Sequence, residues 1–299
     1  MDMLRIEGLQ KRFGDKVVLQ GLDMAVPEHS IFGFIGKNGA GKTTTMKTIL
    51  GLLKADAGHI TVNGEQVLYG QTATNRHIGY LPDVPAFYPF MTAPEYLRFC
   101  GEISGIEKAE CESRCQELLS LVGLEGEKHR IKGFSRGMKQ RLGIAQALLN
   151  QPKLLICDEP TSALDPVGRK EILDILLSVR EQTTVLFSTH ILSDVERICT
   201  DVAFLENGVI RLSGPLAQLK NSYRSEEYYL ELEWPEAISA LLRQFPHMRQ
   251  VGQQSLTFLE KDHALSQVLR FLADKDIPPV KLERAEPTLE SLFMEVAQK

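Results

Sequence analysis

Cysteine is scarce in this chain: there are five residues, an odd number, and no CxxC spacing. That speaks against both a disulfide framework and a zinc site. Cys111 and Cys115 stand one helical turn apart without neighbours of ligand type, as free thiols do. No apolar run approaches the roughly 20 residues that a membrane-spanning helix needs. The opening MDMLRIEGLQ has neither the basic start nor the apolar core of a secretion signal, so the expected location is the cytoplasm. An excess of positive charge is missing too. The net charge of -5, from 34 basic and 39 acidic residues, gives no overall attraction for nucleic acid, and none is expected as a partner. What is present is a 43% hydrophobic content spread over 299 residues, enough for one large core and a second, smaller one.

Strand-like runs occur at LRIEGL, SIFGFI, HIGYL, KLLICD, TTVLFST and DVAFLE, with helical periodicity between them. This alternation is the pattern of an α/β fold. From Pro82 to Phe134 the pattern turns helical, opened by TAPE, in which Thr92 can cap a helix and Glu95 can reach back to it. An inserted helical subdomain at about residues 84–135 is expected. Asn207-Gly208 reads as a turn, and the polar stretch from Tyr223 to Glu227 suits a linker, giving a main domain at 1–219 and an accessory domain at 220–299. In the accessory domain YYLELEW, PEAISALLRQF, SLTFLE, HALSQVLRFLAD and PVKLERAE alternate strand and helix, ending in the helix-like TLESLFMEVAQ. A small α+β, ferredoxin-like domain fits that order. Its ten basic and thirteen acidic residues form no constellation tied to chemistry.

The stretch GKNGAGKTTT, Gly36 to Thr45, fits G-x-x-x-x-G-K-[ST] with an apolar strand before it and a helical run after it. Small residues such as Gly36, Gly39, Ala40 and Gly41 let backbone N–H groups curl around phosphate oxygens without a Cβ in the way. Lys37, Asn38 and Thr44 belong to the same cradle. Lys42 supplies a point charge to the β and γ phosphates, and Thr43 an oxygen for Mg²⁺. The sequence thus predicts a P-loop NTPase, with a nucleoside triphosphate and Mg²⁺ bound. LLICDEP, Leu154 to Pro160, ends an apolar strand in Asp158, a carboxylate for the Mg²⁺, followed by Glu159, which can orient or deprotonate the attacking water. Upstream, GFSRGMKQRLGIAQALL opens a helix with Ser135 and Gly137. Such a helix tip either receives an anion or is a capped surface helix.

Taken in order, GKNGAGKT, FSRGMKQ, LLICDEP, SALD and STH make residues 1 to 214 resemble the ATP-binding subunit of an ABC transporter. The ending AEPTLESLFMEVA resembles the tail of exporter ATPases for antibiotics, multiple drugs or sodium. The resemblance implies an ATPase that binds ATP and Mg²⁺, with Lys42 and its loop on the phosphates, Thr43 and Asp158 on the metal, and Glu159 as catalytic carboxylate. His190 would contact the γ-phosphate and align the water. Phe13, in KRFGDK, stands where the family stacks an aromatic on adenine; a sheet-core phenylalanine is the other reading. Asp165, in TSALDP, fits a loop joining two nucleotide sites across a dimer, and equally a helix start with Pro166 at its first position. Ser135 and Gly137 would close on the γ-phosphate held by the opposite subunit of a homodimer or heterodimer.

Two departures from the family stand out. Asp83, in HIGYLPDVPAFY, occupies the place of a glutamine that approaches the metal, and Arg136 replaces a glycine of the signature, where Met138 also replaces a glutamine. A chain without a membrane span requires a separate transmembrane permease and a place on the cytoplasmic face of the membrane. Val84 to Phe99, with Phe87, Tyr88, Phe90 and Tyr96, reads as the docking surface or, alternatively, as the packing of a small subdomain. The function so implied is ATP-driven export of a drug, antibiotic or ion; the alternative is a soluble ABC-type ATPase acting on nucleic acid or the ribosome.

Overall fold

The chain opens with a long hairpin, β1 (Asp2–Phe13) and β2 (Lys16–Pro27), in which Leu4, Ile6, Leu19, Leu22 and Val26 are buried. The computed structural model describes residues 2–71, 73–222, 227–260, 264–284 and Leu289. From the hairpin the chain crosses into β3 (Ile31–Ile35), buried along its whole length, and through a loop into α1 (Lys42–Ile49). β4 (Ala57–Val62) and β5 (Glu65–Gln66) then return to the hairpin and complete an antiparallel sheet in the order β2-β1-β4-β5. The run LRIEGL therefore lies in this second sheet rather than in the α/β alternation. Its alternating burial is that of a strand with one face covered, which only antiparallel sheets commonly show.

β6 (Ile78–Leu81) enters the main sheet and leads to the helical stretch α2 (Ala93–Ile103), α3 (Lys108–Leu121) and α4 (Arg136–Leu148). The capping box expected from TAPE forms at the start of α2: Glu95 Oε2 accepts from the Thr92 N–H at 2.8 Å, and Thr92 Oγ1 accepts from the Glu95 N–H at 3.4 Å. Next come β7 (Leu154–Asp158), α5 (Pro166–Val179), β8 (Thr184–Thr189), α6 (Leu192–Ile198) and the hairpin β9 (Asp201–Glu206) with β10 (Val209–Pro215). Asn207 and Gly208, both at positive φ, make its turn. The strand order is β10-β9-β3-β8-β7-β6, parallel from β9 to β6, with β10 antiparallel at the edge.

The register aligns Ile35 with Thr189, Ser188 with Asp158 and Cys157 with Leu81, so four adjacent parallel strands, β3, β8, β7 and β6, end close to one line. Ligands bind outside the carboxyl ends of strands in such sheets. The main core joins the two sheets across α1: Leu4 and Ile6 of β1 share a cluster with Phe34, Leu186 and Leu205 and with Met46 and Ile49 of the helix. Among the described residues no helix is long and apolar enough to cross a membrane.

A second compact unit begins at Ala217, inside the short helix α7 (Leu216–Ser222), and includes β11 (Glu227–Leu232), α8 (Pro235–Gln244), β12 (Arg249–Gln250), β13 (Ser255–Leu259), α9 (Ala264–Asp274) and β14 (Pro279–Arg284). Its antiparallel sheet has the order β12-β13-β11-β14, and this β-α-β-β-α-β succession is the ferredoxin-like arrangement. Leu230, Leu241, Phe258 and Val268 lie in its own core. The expected terminal helix TLESLFMEVAQ falls outside the described residues except for Leu289, which is buried.

Candidate active site

The loop after β3 closes on its own lysine. Gly41, at φ 117, turns the chain into α1 in a conformation that side chains rarely adopt, and Gly39 lies at φ 83. Among the described residues no side chain caps α1 and its own first turn carries no acidic residue, an arrangement that suits an incoming anion. The Lys37 carbonyl accepts from the Ala40 N–H at 3.1 Å. Lys42, nearly buried, donates to the Gly36 carbonyl at 2.6 Å and to that of Lys37 at 3.4 Å.

Across β8 lies the end of β7. Asp158 accepts from the Thr43 hydroxyl at 2.7 Å on one carboxylate oxygen and from the Ser188 hydroxyl at 2.6 Å on the other. The same Ser188 oxygen accepts from the Glu159 N–H at 3.0 Å. Glu159 has φ 48, a costly backbone for a residue with a Cβ, and this bond helps to hold it. Its side chain bridges the cluster, with Oε1 3.0 Å from Lys42 Nζ and Oε2 2.9 Å from Nδ1 of the half-exposed His190. Lys42, Thr43, Asp158, Glu159 and His190 thus form one connected set.

They line a cleft of about 450 Å³, together with Asn38, Gly39, Gly41, Thr44 and Asp83. Three further lining residues, Lys16, Val18 and Ser162, were not singled out from the sequence. Lys16 stands in the quoted KRFGDK and adds a second lysine to the pocket. Ser188 was missed as well. The signal was a hydroxyl directly after the apolar run VLF, a fully buried polar group that needed a partner.

The remaining site residues lie outside the lining of this cleft. Phe13, 49% exposed at the tip of the β1–β2 hairpin with Lys11 Nζ 5.3 Å from its ring centroid, is not a sheet-core residue. Ser135 caps α4, accepting from the Met138 N–H at 3.2 Å, and Gly137 follows in its first turn. Asp165 caps α5, accepting from the Gly168 N–H at 3.0 Å, with Pro166 first in the helix. Asp83, which does line the cleft, pairs with Arg136, Oδ1 lying 3.3 Å from Nη2.

The aromatic stretch divides. Tyr96 follows the second of the two readings, internal packing: it is buried, its hydroxyl donating to Gln146 at 2.9 Å and its ring 5.0 Å from that of Phe87. It shares a helix face with Ala93, Leu97 and Gly101, which faces the core. Val84, Tyr88 and Phe90 stay exposed.

A family profile described as ABC transporter matches residues 19–162, and one described as the C-terminal domain of DrrA1-3-like ATP-binding proteins matches 214–297. The uncharacterized ABC transporter ATP-binding protein YxlF of Bacillus subtilis is 39% identical over 98% of this chain and 99% of its own length. The bacitracin transport ATP-binding protein BcrA of Bacillus licheniformis is 33% identical, covering 98% and 97%. The linearmycin resistance ATP-binding protein LnrL of B. subtilis is also 33% identical, over 98% and 97%. Among solved structures, an ATP-binding subunit of an ABC transporter superposes with a TM-score of 0.66 at 33% identity over 74% of this chain and 93% of that one. The ADP conformation of the ATP-binding cassette MJ1267 does so with a TM-score of 0.66 at 26% identity, over 73% and 92%. With a P-loop between a parallel strand and a helix and near full-length relatives of one kind, the chain belongs to the ATP-binding proteins of ABC transporters and is an ATPase subunit of that family.

Proposed function

We propose that this chain hydrolyses ATP with Mg²⁺ in a closed dimer, and that the closure drives a separate membrane permease to export a drug, antibiotic or ion. The observation that carries the reading is the contact of Glu159 with both Lys42 and His190 at the end of the central strands. A triphosphate entering the loop draws the Lys42 ammonium to its β and γ oxygens and frees Glu159 Oε1. Glu159, still beside His190, then faces the water that attacks the γ-phosphorus, accepting its proton or orienting it. The bond from the γ-phosphorus to the bridging oxygen breaks, leaving ADP and phosphate.

The donors fit a magnesium ion. Thr43 and Asp158 offer hard oxygens, and three carboxylates, Asp83, Asp158 and Glu159, against two lysines, Lys16 and Lys42, make the cleft acidic overall. Thr43 and Asp158 would hold the ion, which when bound neutralises charge on the phosphates. The exposed ring of Phe13 suits stacking on adenine. Ser135, Gly137 and Asp165 are assigned to the second copy's nucleotide, with the dimer of like or unlike chains assembled around it. Exposed Val84, Tyr88 and Phe90 are the proposed permease contact, which gives the chain a peripheral place on the cytoplasmic face of the membrane. The names of two relatives, one for bacitracin transport and one for linearmycin resistance, support antibiotic cargo. The test is phosphate release by the purified chain with Mg²⁺ and ATP, before and after adding solubilised membrane protein that copurifies with it. Turnover that responds to nucleic acid and ignores the membrane fraction would replace this reading with that of a soluble ATPase.

A further inference from the structure

Arg136, Gln140 and Gly143 fall at i, i+4 and i+7 on α4, one face of the helix, and all three meet the segment that follows β6. At Gly143 a Cβ would come within 2.5 Å of Leu81 Cδ1 and 3.5 Å of Pro85 Cβ, so the glycine permits a close approach. Gln140, buried, donates from Nε2 to the Asp83 carbonyl at 2.8 Å. Arg136 completes the row with its guanidinium 3.3 Å from the Asp83 carboxylate. The stripe fastens to α4 the loop whose Asp83 lines the nucleotide cleft.

A carboxylate in that place needs an explanation. Asp158 is held by two hydroxyls and Glu159 by Lys42 and His190, whereas Asp83 brings a third negative charge to a pocket read as a polyphosphate site. Left uncompensated, it repels the incoming anion. The resemblance to the family puts a neutral glutamine at 83 and a glycine at 136; here the sequence changes both, and the fold sets the two side chains against each other 53 positions apart.

We propose that Arg136 is a positioning counter-charge, which lets a carboxylate at position 83 line a polyphosphate pocket, so that the two departures from the family pattern are a single compensated pair. This rests on the nucleotide-binding reading above. Arg136 acts through Asp83 and, in this role, holds the loop and cancels its charge. Both side chains are partly exposed, so the effect is that of a half-solvated ion pair: about fivefold in affinity, declining as salt screens it.

The test is equilibrium binding of a fluorescent ATP analogue with Mg²⁺ to the full-length wild type, Arg136→Gln, Asp83→Asn and the double variant, at low and at high salt. Arg136→Gln is expected to weaken binding about fivefold at low salt, with a smaller loss at high salt. The double variant is expected to return to within about twofold of the wild type, because the charge that needed cancelling is gone. A merely structural role for Arg136 at the start of α4 would not be rescued by changing Asp83. The proposal is overturned if the double variant binds as weakly as Arg136→Gln, or if Arg136→Gln binds as tightly as the wild type. A wild type that fails to bind the analogue at all removes the nucleotide reading itself, a result distinct from additive single changes in a protein that binds.

Discussion

Replacing Glu159 with glutamine separates two consequences of its position. The carboxylate sits between Lys42 at 3.0 Å and His190 at 2.9 Å, with its side chain 13% exposed. A glutamine keeps the shape but carries no charge and cannot take a proton. Loss of a general base costs about 10²- to 10⁴-fold in turnover, or about 3–5 kcal/mol on the barrier. Nucleotide binding should change in the opposite direction. The triphosphate competes with Glu159 for the Lys42 ammonium, an ion pair 3.0 Å apart, and a pair that some water still reaches contributes about 0.2–1 kcal/mol that a neutral amide does not. Weakening the competitor by up to about 1 kcal/mol tightens ATP binding by up to about fivefold. Phosphate release in single-turnover mode and titration of a fluorescent ATP analogue read the two effects separately, and the variant should accumulate as a closed dimer with ATP in size-exclusion chromatography. Turnover within threefold of wild type, together with unchanged or weaker ATP binding, would refute the competition between phosphate and carboxylate.

Ser188→Ala should weaken Mg²⁺ dependence by about 10- to 100-fold in apparent affinity, because it frees one oxygen of Asp158 and removes the acceptor for the Glu159 N–H; a magnesium titration of the ATPase rate checks this. Asp194→Ala should destabilise the main domain by about 2–3 kcal/mol, since Asp194 is buried while accepting from Thr161 at 2.7 Å and Arg169 at 2.6 Å, and Arg169 keeps some water. The melting temperature should fall by roughly 4–12 °C in a thermal scan. Burial raises the thiols of Cys100, Cys157 and Cys199 above the ordinary value and pushes that of Cys115 up to about 12. A raised thiol is uncharged, and so unreactive, at every pH below its folded value. These four should therefore label slowly at pH 8 in the folded chain, while denaturant exposes five per chain to a thiol reagent.

Contiguous motifs were the most legible part of this protein. The loop from Gly36 to Thr44 and the pair Asp158-Glu159 carry their meaning in neighbouring residues, and the strand before each is read from a short apolar run. Amphipathic elements were legible only in part: β2 and β4 were not read as strands, because Gly21 and Asp23 interrupt one and AGHITV is half exposed in the other. Tyr96 shows the same limit on a helix, where an aromatic open to either a docking or a packing reading is one member of a buried face at i, i+3, i+4 and i+8.

The contacts that organise the site join residues distant in the chain. Thr43 meets Asp158 across 115 positions, and Ser188 meets Asp158 across 30, through the register of β7 on β8. A sequence pattern marks each partner's residue type but carries no term for the alignment of two strands. For that reason Asp83 and Arg136 read separately as two anomalies. A carboxylate that enters a phosphate pocket is unfavourable alone; set 3.3 Å from the Arg136 guanidinium by the seating of the Asp83 loop on α4, its charge is offset in the proposed pairing. Compensation of this kind is a property of the folded pair, and it becomes visible only when the helix face that binds the loop is known.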